Sequence, residues 1–220
     1  MTKTDPDMHA AMKPSALNIE RLSIDSAMKD FEALAAIQAG LATVFRQIEA
    51  GARTSSTGFL ISAYKPEQFV DFIRRDGILL CARSASTGEP LGYLLGNSGA
   101  TFHANHPTTT LHWDDTAAQA QYGAFYSAGR FTYLDQIGVQ SSLQGSGVAR
   151  GLHERFLNLV GKPILAAIVQ EPIQNTRSTL FFKKLGYQQI GTFHTAEFKG
   201  LKDVRSAVLA LPEDGDALGA

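Results

Sequence analysis

The sequence predicts a single α/β domain, and three observations carry that expectation. "ILAAIV", residues 164–169, is a continuous apolar run with the length of a strand buried on both faces. Helical periodicity lies on either side of it, over residues 147–160 and from Asn175 to Gly186. "ILLCAR" and "PLGYLLG" flank a Ser/Thr/Gly turn and read as a β-hairpin, and no repeat, low-complexity run or interdomain linker divides the chain.

The remaining elements follow in order. "LNIERLSI" alternates as a short strand. From Asp25 an apolar stripe runs through Phe31, Leu34, Ile37, Leu41, Val44/Phe45 and Ile48, and Gly40 interrupts it, so two helices or a bend are expected. "GFLISAY" is apolar but of no clear type. "KPEQFVDFIRRDG" is a helix with Pro66 in its first turn and Gly77 at its stop. "NSGATFHANHPTTTLHWDD" has no period and reads as a long loop. "AAQAQYGAFYSAG" is weakly helical. "FTYLDQIGV" is a strand in which Gly138 marks a bulge or a close backbone approach. Val148, Leu152, Phe156 and Leu159/Val160 share one face of the next helix, which Gly161 and Pro163 end. Asn175 or Thr176 caps the last helix and Gly186 closes it, and "YQQIGTF" and "RSAVLAL" finish with strand character.

Composition bounds the function. Of 220 residues, 44% are hydrophobic and 19% charged, which favours a packed core over disorder. A formal net charge of −1 lacks the electrostatic footprint of a nucleic-acid or anionic-membrane partner. Cys81 is the sole cysteine, so an internal disulfide and a cysteine-based zinc site are excluded, and a reducing compartment fits. No stretch approaches the ~18 apolar residues of a membrane span, and the polar start is unlike a signal peptide. A cytoplasmic protein is expected, with flexible tails at 1–17 and 213–220 around a domain at 18–212.

The chemistry centres on "QGSGVARGLHERF", where glycines open directly into a helix. A helix N-terminus offers unpaired N–H groups and partial positive charge, and small residues let a phosphate approach them. A plain tight turn needs glycines too. A P-loop would require Lys and Ser/Thr after Gly147, where Val148 and Ala149 stand. The dinucleotide fingerprint would require glycine at 150, which is Arg150.

"QGSGVA" matches Gln/Arg-x-x-Gly-x-Gly/Ala and resembles the signature of the GNAT acyltransferase superfamily. "YLDQIGV" is similar to that superfamily's fourth strand, and "NTRSTLFFKKLGYQQIG" to its second signature, an Asn-led helix ending in Leu-Gly-aromatic. These pieces stand in the expected order over about residues 131–192, and there is a looser likeness to uncharacterised acetyltransferases. The resemblance implies a mixed, mostly antiparallel twisted sheet flanked by helices, with a splayed pair of parallel central strands. It implies acetyl-CoA as cosubstrate, held at its pyrophosphate by the turn of Gln144, Gly145, Ser146 and Gly147 with Val148, Ala149 and Arg150. The pantetheine arm would follow the backbone of Ile137, Gly138 and Val139, beside Asn175 and Ser178. Asn175 could equally be a helix cap, and Ser178 a surface residue.

The implied reaction is direct attack of a small-molecule amine on the thioester, without a metal. The amine must lose a proton. Tyr133, Asp135 and Ile137 alternate onto one face, and Asp135 is the candidate catalytic base, with a structural ion pair or amide contact as its other reading. An N–H near Val139 would stabilise the oxyanion. Many family members carry a tyrosine as acid seven residues after the Asn, and Phe182 stands there instead. That departure keeps open a non-catalytic acyl-CoA sensor, and a longer acyl chain is a further alternative. Cys81 in a hairpin strand argues against a covalent intermediate. His103, His106 and His112 with Asp114/Asp115 are expected to be solvated loop residues rather than a metal site. Trp113, Tyr122, Phe125 and Tyr126 would wall the acceptor pocket or join the core. Neither nucleic acid nor membrane is an expected partner; members of the family often dimerise, which leaves a homodimer open, and the sequence does not fix the oligomeric state.

Overall fold

A computed structural model describes residues 17–61, 63–106, 109–161 and 163–212. The sequence-based tails at 1–17 and 213–220 lie outside these residues except for Leu17. Eight strands form one sheet in the order β1-β3-β4-β6-β7-β10-β9-β5. They are β1 (Leu17–Arg21), β3 (Ile78–Ser84), β4 (Pro90–Ser98), β5 (Leu111–Trp113), β6 (Thr132–Val139), β7 (Ile164–Glu171), β9 (Gln188–Phe198) and β10 (Leu201–Leu211). Two-residue β2 (Thr54–Ser55) and β8 (Gln174–Asn175) pair separately. Every neighbouring pair in the large sheet is antiparallel except β6–β7.

Helices cover both faces. The stripe from residue 25 becomes α1 (Ile24–Leu41) and α2 (Val44–Glu49). The break falls at Ala42 and Thr43; Gly40 remains helical. Ser23 caps α1 through a reciprocal pair of bonds with Ser26. α3 (Pro66–Arg74) begins on its proline, as expected. Leu34 and Ile37 of α1 and Phe69 and Phe72 of α3 bury against Leu79, Cys81, Tyr93 and Leu95 of the sheet. On the opposite face α6 (Val148–Leu157) sets Val148, Leu152 and Phe156 against Leu80, Leu94 and Leu134. Each such fully buried side chain contributes about 1.5–3 kcal/mol. Phe182 of α7 (Thr176–Lys184) and Tyr187 complete that core.

Among the described residues, the segment read as a long loop carries a helix and a strand. Ser98 caps a short helix, α4 (Gly99–Asn105), by accepting a bond from Thr101 N. β5 then pairs with β9, and Asp115 caps α5 (Thr116–Ser127) through Ala118 N at 2.8 Å. Few apolar anchors hold this segment, Phe102 on α4 and Leu111 with the partly buried Trp113 on β5. Such sparse anchors leave no sequence period. Among the described residues no helix is long and apolar enough to cross a membrane.

Candidate active site

The site begins where β6 and β7 part. They pair in register only at Thr132↔Ile164, Tyr133↔Leu165 and Leu134↔Ala166. Beyond that, β6 continues alone beside β4, with a register shift that leaves Asp135 as the extra residue. The bulge therefore sits at Asp135, not Gly138. Gly138 is the close approach: a Cβ there would lie 2.5 Å from the Tyr93 ring.

The bulge decides which backbone groups face the gap. Gln140 N donates to Leu91 O at 2.9 Å. By the two-residue period of an antiparallel ladder, Gly138 and Gln136 also bond to β4. The N–H and C=O groups of Ile137 and Val139 then point away from β4, into the gap between the diverging strands.

The bulge also corrects the expected alternation of Tyr133, Asp135 and Ile137. Gln136 joins the α1 face, where its Oε1 accepts from Tyr93 Oη at 3.0 Å and Gln38 Nε2 at 3.5 Å. Ile137 packs against the α6 core on the other face. Asp135 accepts a 2.6 Å hydrogen bond at Oδ2 from Tyr64 Oη, and Tyr64 N donates to Gln38 Oε1 at 2.7 Å. Burial raises the carboxyl's pKa above the ordinary aspartate value, and the Tyr64 hydrogen bond partly opposes that. Tyr64 is held protonated by its own burial and by the neighbouring carboxylate. Among the described residues no arginine forms an ion pair with Asp135.

Two adjoining cavities open at the gap. The first, of about 350 Å³, reaches Asp135, Gln136, Asn175 and Phe182. The second, of about 500 Å³, runs past Ile137 and Val139 to the glycine turn at Gln144, Gly145, Gly147, Ala149 and Arg150. Phe59, Leu60, Ile137 and Ser178 line both, so the two meet there. Gly145 and Gly147 have φ of 90° and 98°, a region that side chains strain to enter. Gly147 supplies no side-chain cap to α6. The amides of Val148, Ala149 and Arg150 are those that a helix leaves without partners. Gly138, Ser146 and Val148 are not among the residues lining either cavity; Val148 points into the core, and Ser146 Oγ donates to Leu143 O at 2.6 Å.

Asn175 has its capping role: Oδ1 accepts from Ser178 N at 3.1 Å, while Nδ2 donates to Phe59 O at 3.2 Å. It thereby ties α7 to the segment that crosses the gap. Phe182 is buried against Tyr187, with ring centroids 4.9 Å apart.

Several lining residues carried no signal in the sequence reading. Arg177, Phe181 and Lys184 line the second cavity at helical spacing along α7, a stripe that facing the glycine turn could have revealed. Tyr64 had no local mark at all. His106 was expected in solvent but lines the first cavity, its ring 4.9 Å from that of Phe102. His103 instead lies against Tyr126 O, with Nε2 at 2.7 Å. Trp113, Tyr122 and Tyr126 join the core around α5, and neither they nor Phe125 line the cavities. Among the described residues no three His, Cys, Asp or Glu side chains are placed to hold a metal ion.

No protein-family model and no curated protein matches this sequence. Solved structures do. An N-acetyltransferase from Staphylococcus aureus Mu50 is similar with a TM-score of 0.55 at 16% identity, covering 89% of this chain and 97% of its own. Arabidopsis thaliana NAA60 in complex with acetyl-CoA has a TM-score of 0.53 at 11% identity, covering 89% and 97%. A ribosomal-protein-alanine N-acetyltransferase from Brucella melitensis has a TM-score of 0.53 at 14% identity, covering 88% and 98%. With its mostly antiparallel sheet and its one parallel, diverging pair, this chain has the fold of the GNAT N-acetyltransferases.

Proposed function

We propose that this protein is an N-acetyltransferase that moves an acetyl group from acetyl-CoA directly to the amine of a small-molecule acceptor. The observation that carries the reading is the gap between β6 and β7. It presents the backbone of Ile137 and Val139 where two cavities meet, one of them ending at a glycine turn. The solved structures of the same fold support it, since they include an N-acetyltransferase and a protein in complex with acetyl-CoA.

The residues of the second cavity fit coenzyme A. Gly145 and Gly147 keep side chains clear of the α6 amides, which suit a diphosphate. Arg150, Arg177 and Lys184 add positive charge to the lining. Leu143, Leu180 and Phe181 supply apolar surface. The edge of β6 offers amide and carbonyl partners to a pantetheine arm, and no metal enters the scheme.

When bound, acetyl-CoA supplies an activated acyl group. Asp135 then takes a proton from the incoming ammonium, and its elevated pKa strengthens it as a base. The Val139 N–H, directed into the gap, is placed to donate to the oxygen on which negative charge develops. Phe182 has no proton for the departing thiolate. Tyr133 lines the same cavity and burial keeps its hydroxyl protonated, so it is the tyrosine assigned that role.

The test is a thermal-shift titration with acetyl-CoA followed by thiol release with a panel of amines. Stabilisation by acetyl-CoA together with amine-dependent thiol release is expected. Absence of any acetyl-CoA effect would remove the assignment. Tight acetyl-CoA binding with no amine acetylated would favour the sensor reading that Phe182 keeps open, and longer acyl-CoAs in the same titration would expose a different acyl preference.

A further inference from the structure

The two cavities carry opposite charge. Arg150, Arg177 and Lys184 line the one beside the glycine turn, with no carboxylate among its described lining residues. The other contains Asp135 and Glu197 and, among the described residues, neither lysine nor arginine. His106 is the imidazole there. Burial first, and then Lys199, lower its pKa and favour the neutral form. Aromatic rings form part of the cavity's walls, Phe102 packing against Tyr133 and Phe193 with ring centroids at 4.5 and 5.7 Å, and Thr109, Gln136, Asn175 and Ser178 add polar groups.

These features select on charge. An ammonium is attracted by both carboxylates, and an apolar body gains contact with the rings. A carboxylate or phosphate on the acceptor would enter a space with two anions and no lining cation, and an unpaired buried charge is strongly disfavoured. The volume of about 350 Å³ is at the small end of small-molecule sites.

We infer that the acceptor is an amine on a compact body that bears no carboxylate or phosphate. The fate of that amine rests on the transfer reading above; the selectivity is a property of the cavity. The α4 segment between β4 and β6 supplies Phe102 and His106 to the wall, so this segment contributes to the specificity. Glu197 stands exposed on β9 and draws the cation in.

Matched acceptors test this: phenethylamine against phenylalanine, which differ only in the carboxylate. Calorimetry without acetyl-CoA should show at least about tenfold tighter binding of phenethylamine, and thiol release with acetyl-CoA should show the same preference. Glu197→Gln, a change at an exposed position, should weaken phenethylamine about two- to fivefold and leave phenylalanine no weaker. Equal or tighter binding of phenylalanine overturns the inference, as does failure of both to bind. The expected binding preference without thiol release sustains the cavity's selectivity and overturns the transfer reading instead.

Discussion

Removing the Tyr64 hydroxyl isolates the chemistry assigned to Asp135. The two residues lie far apart in the chain and meet through one 2.6 Å hydrogen bond. Tyr64→Phe keeps the ring, which packs against Phe69 and Phe72 with centroids at 5.6 and 5.9 Å. A hydrogen bond to a charged group contributes about 1.5–3 kcal/mol. That bond lowers the carboxyl's pKa while burial raises it, so its loss leaves burial unopposed and favours the protonated, inactive form. At 1.4 kcal/mol per factor of ten, kcat/KM at a pH on the acid limb should fall roughly tenfold or more. The plateau at higher pH should hardly change, because Asp135 is ionised there in both proteins. The assay is thiol release across pH with one amine at fixed excess acetyl-CoA. Asp135→Asn serves as the reference and should lose about 10²–10⁴-fold at every pH. A Tyr64→Phe profile that superimposes on wild type, or moves toward lower pH, refutes the reasoning.

Gly147→Trp places a side chain at a φ of 98° and over the α6 amides. The protein should fold with a strain of about 1–3 kcal/mol, seen as a lowered Tm; acetyl-CoA should no longer raise that Tm, and an undiminished shift would contradict the phosphate assignment. His153 is buried with Nε2 2.9 Å from Tyr187 Oη, and burial lowers its pKa to about 4. The unfolded chain therefore binds more protons between pH 6.5 and 4, so stability is full above that window and falls by about 2–3 kcal/mol as pH drops through it. Urea midpoints of His153→Gln should lose that part of the pH dependence, and parallel curves would exclude His153 as its source. The Cys81 thiol is fully buried and pushed up to about 12, chiefly by that burial. It should resist Ellman's reagent at pH 8 until the protein unfolds, and rapid native labelling would disprove its inertness.

The site was legible where its signals were local. Asn175 caps α7 across three residues, Pro66 starts α3, and Gly145 and Gly147 mark the turn within the span they govern. Each needs only its neighbours in the chain. The bulge escaped a reading of "YLDQIGV" because an extra residue exists only relative to a partner strand. Nothing within the strand tells Asp135 from Gly138 as its position, and that choice turns Ile137 away from Tyr133. The segment after Asn97 failed for another reason. α4 and β5 rest on one or two apolar anchors each, too few for a period.

Local chemistry in the chain thus determined most of the elements, their order and the glycine turn, because caps, periodicity and backbone freedom act over a few residues. Tertiary structure alone decided that β6 and β7 pair for three residues and then part, and that Tyr64 reaches Asp135. It also separated the positive lining from the negative one across the gap. These are relations between groups distant in sequence, and only the packing of sheet and helices brings them within the range at which hydrogen bonds and charges act.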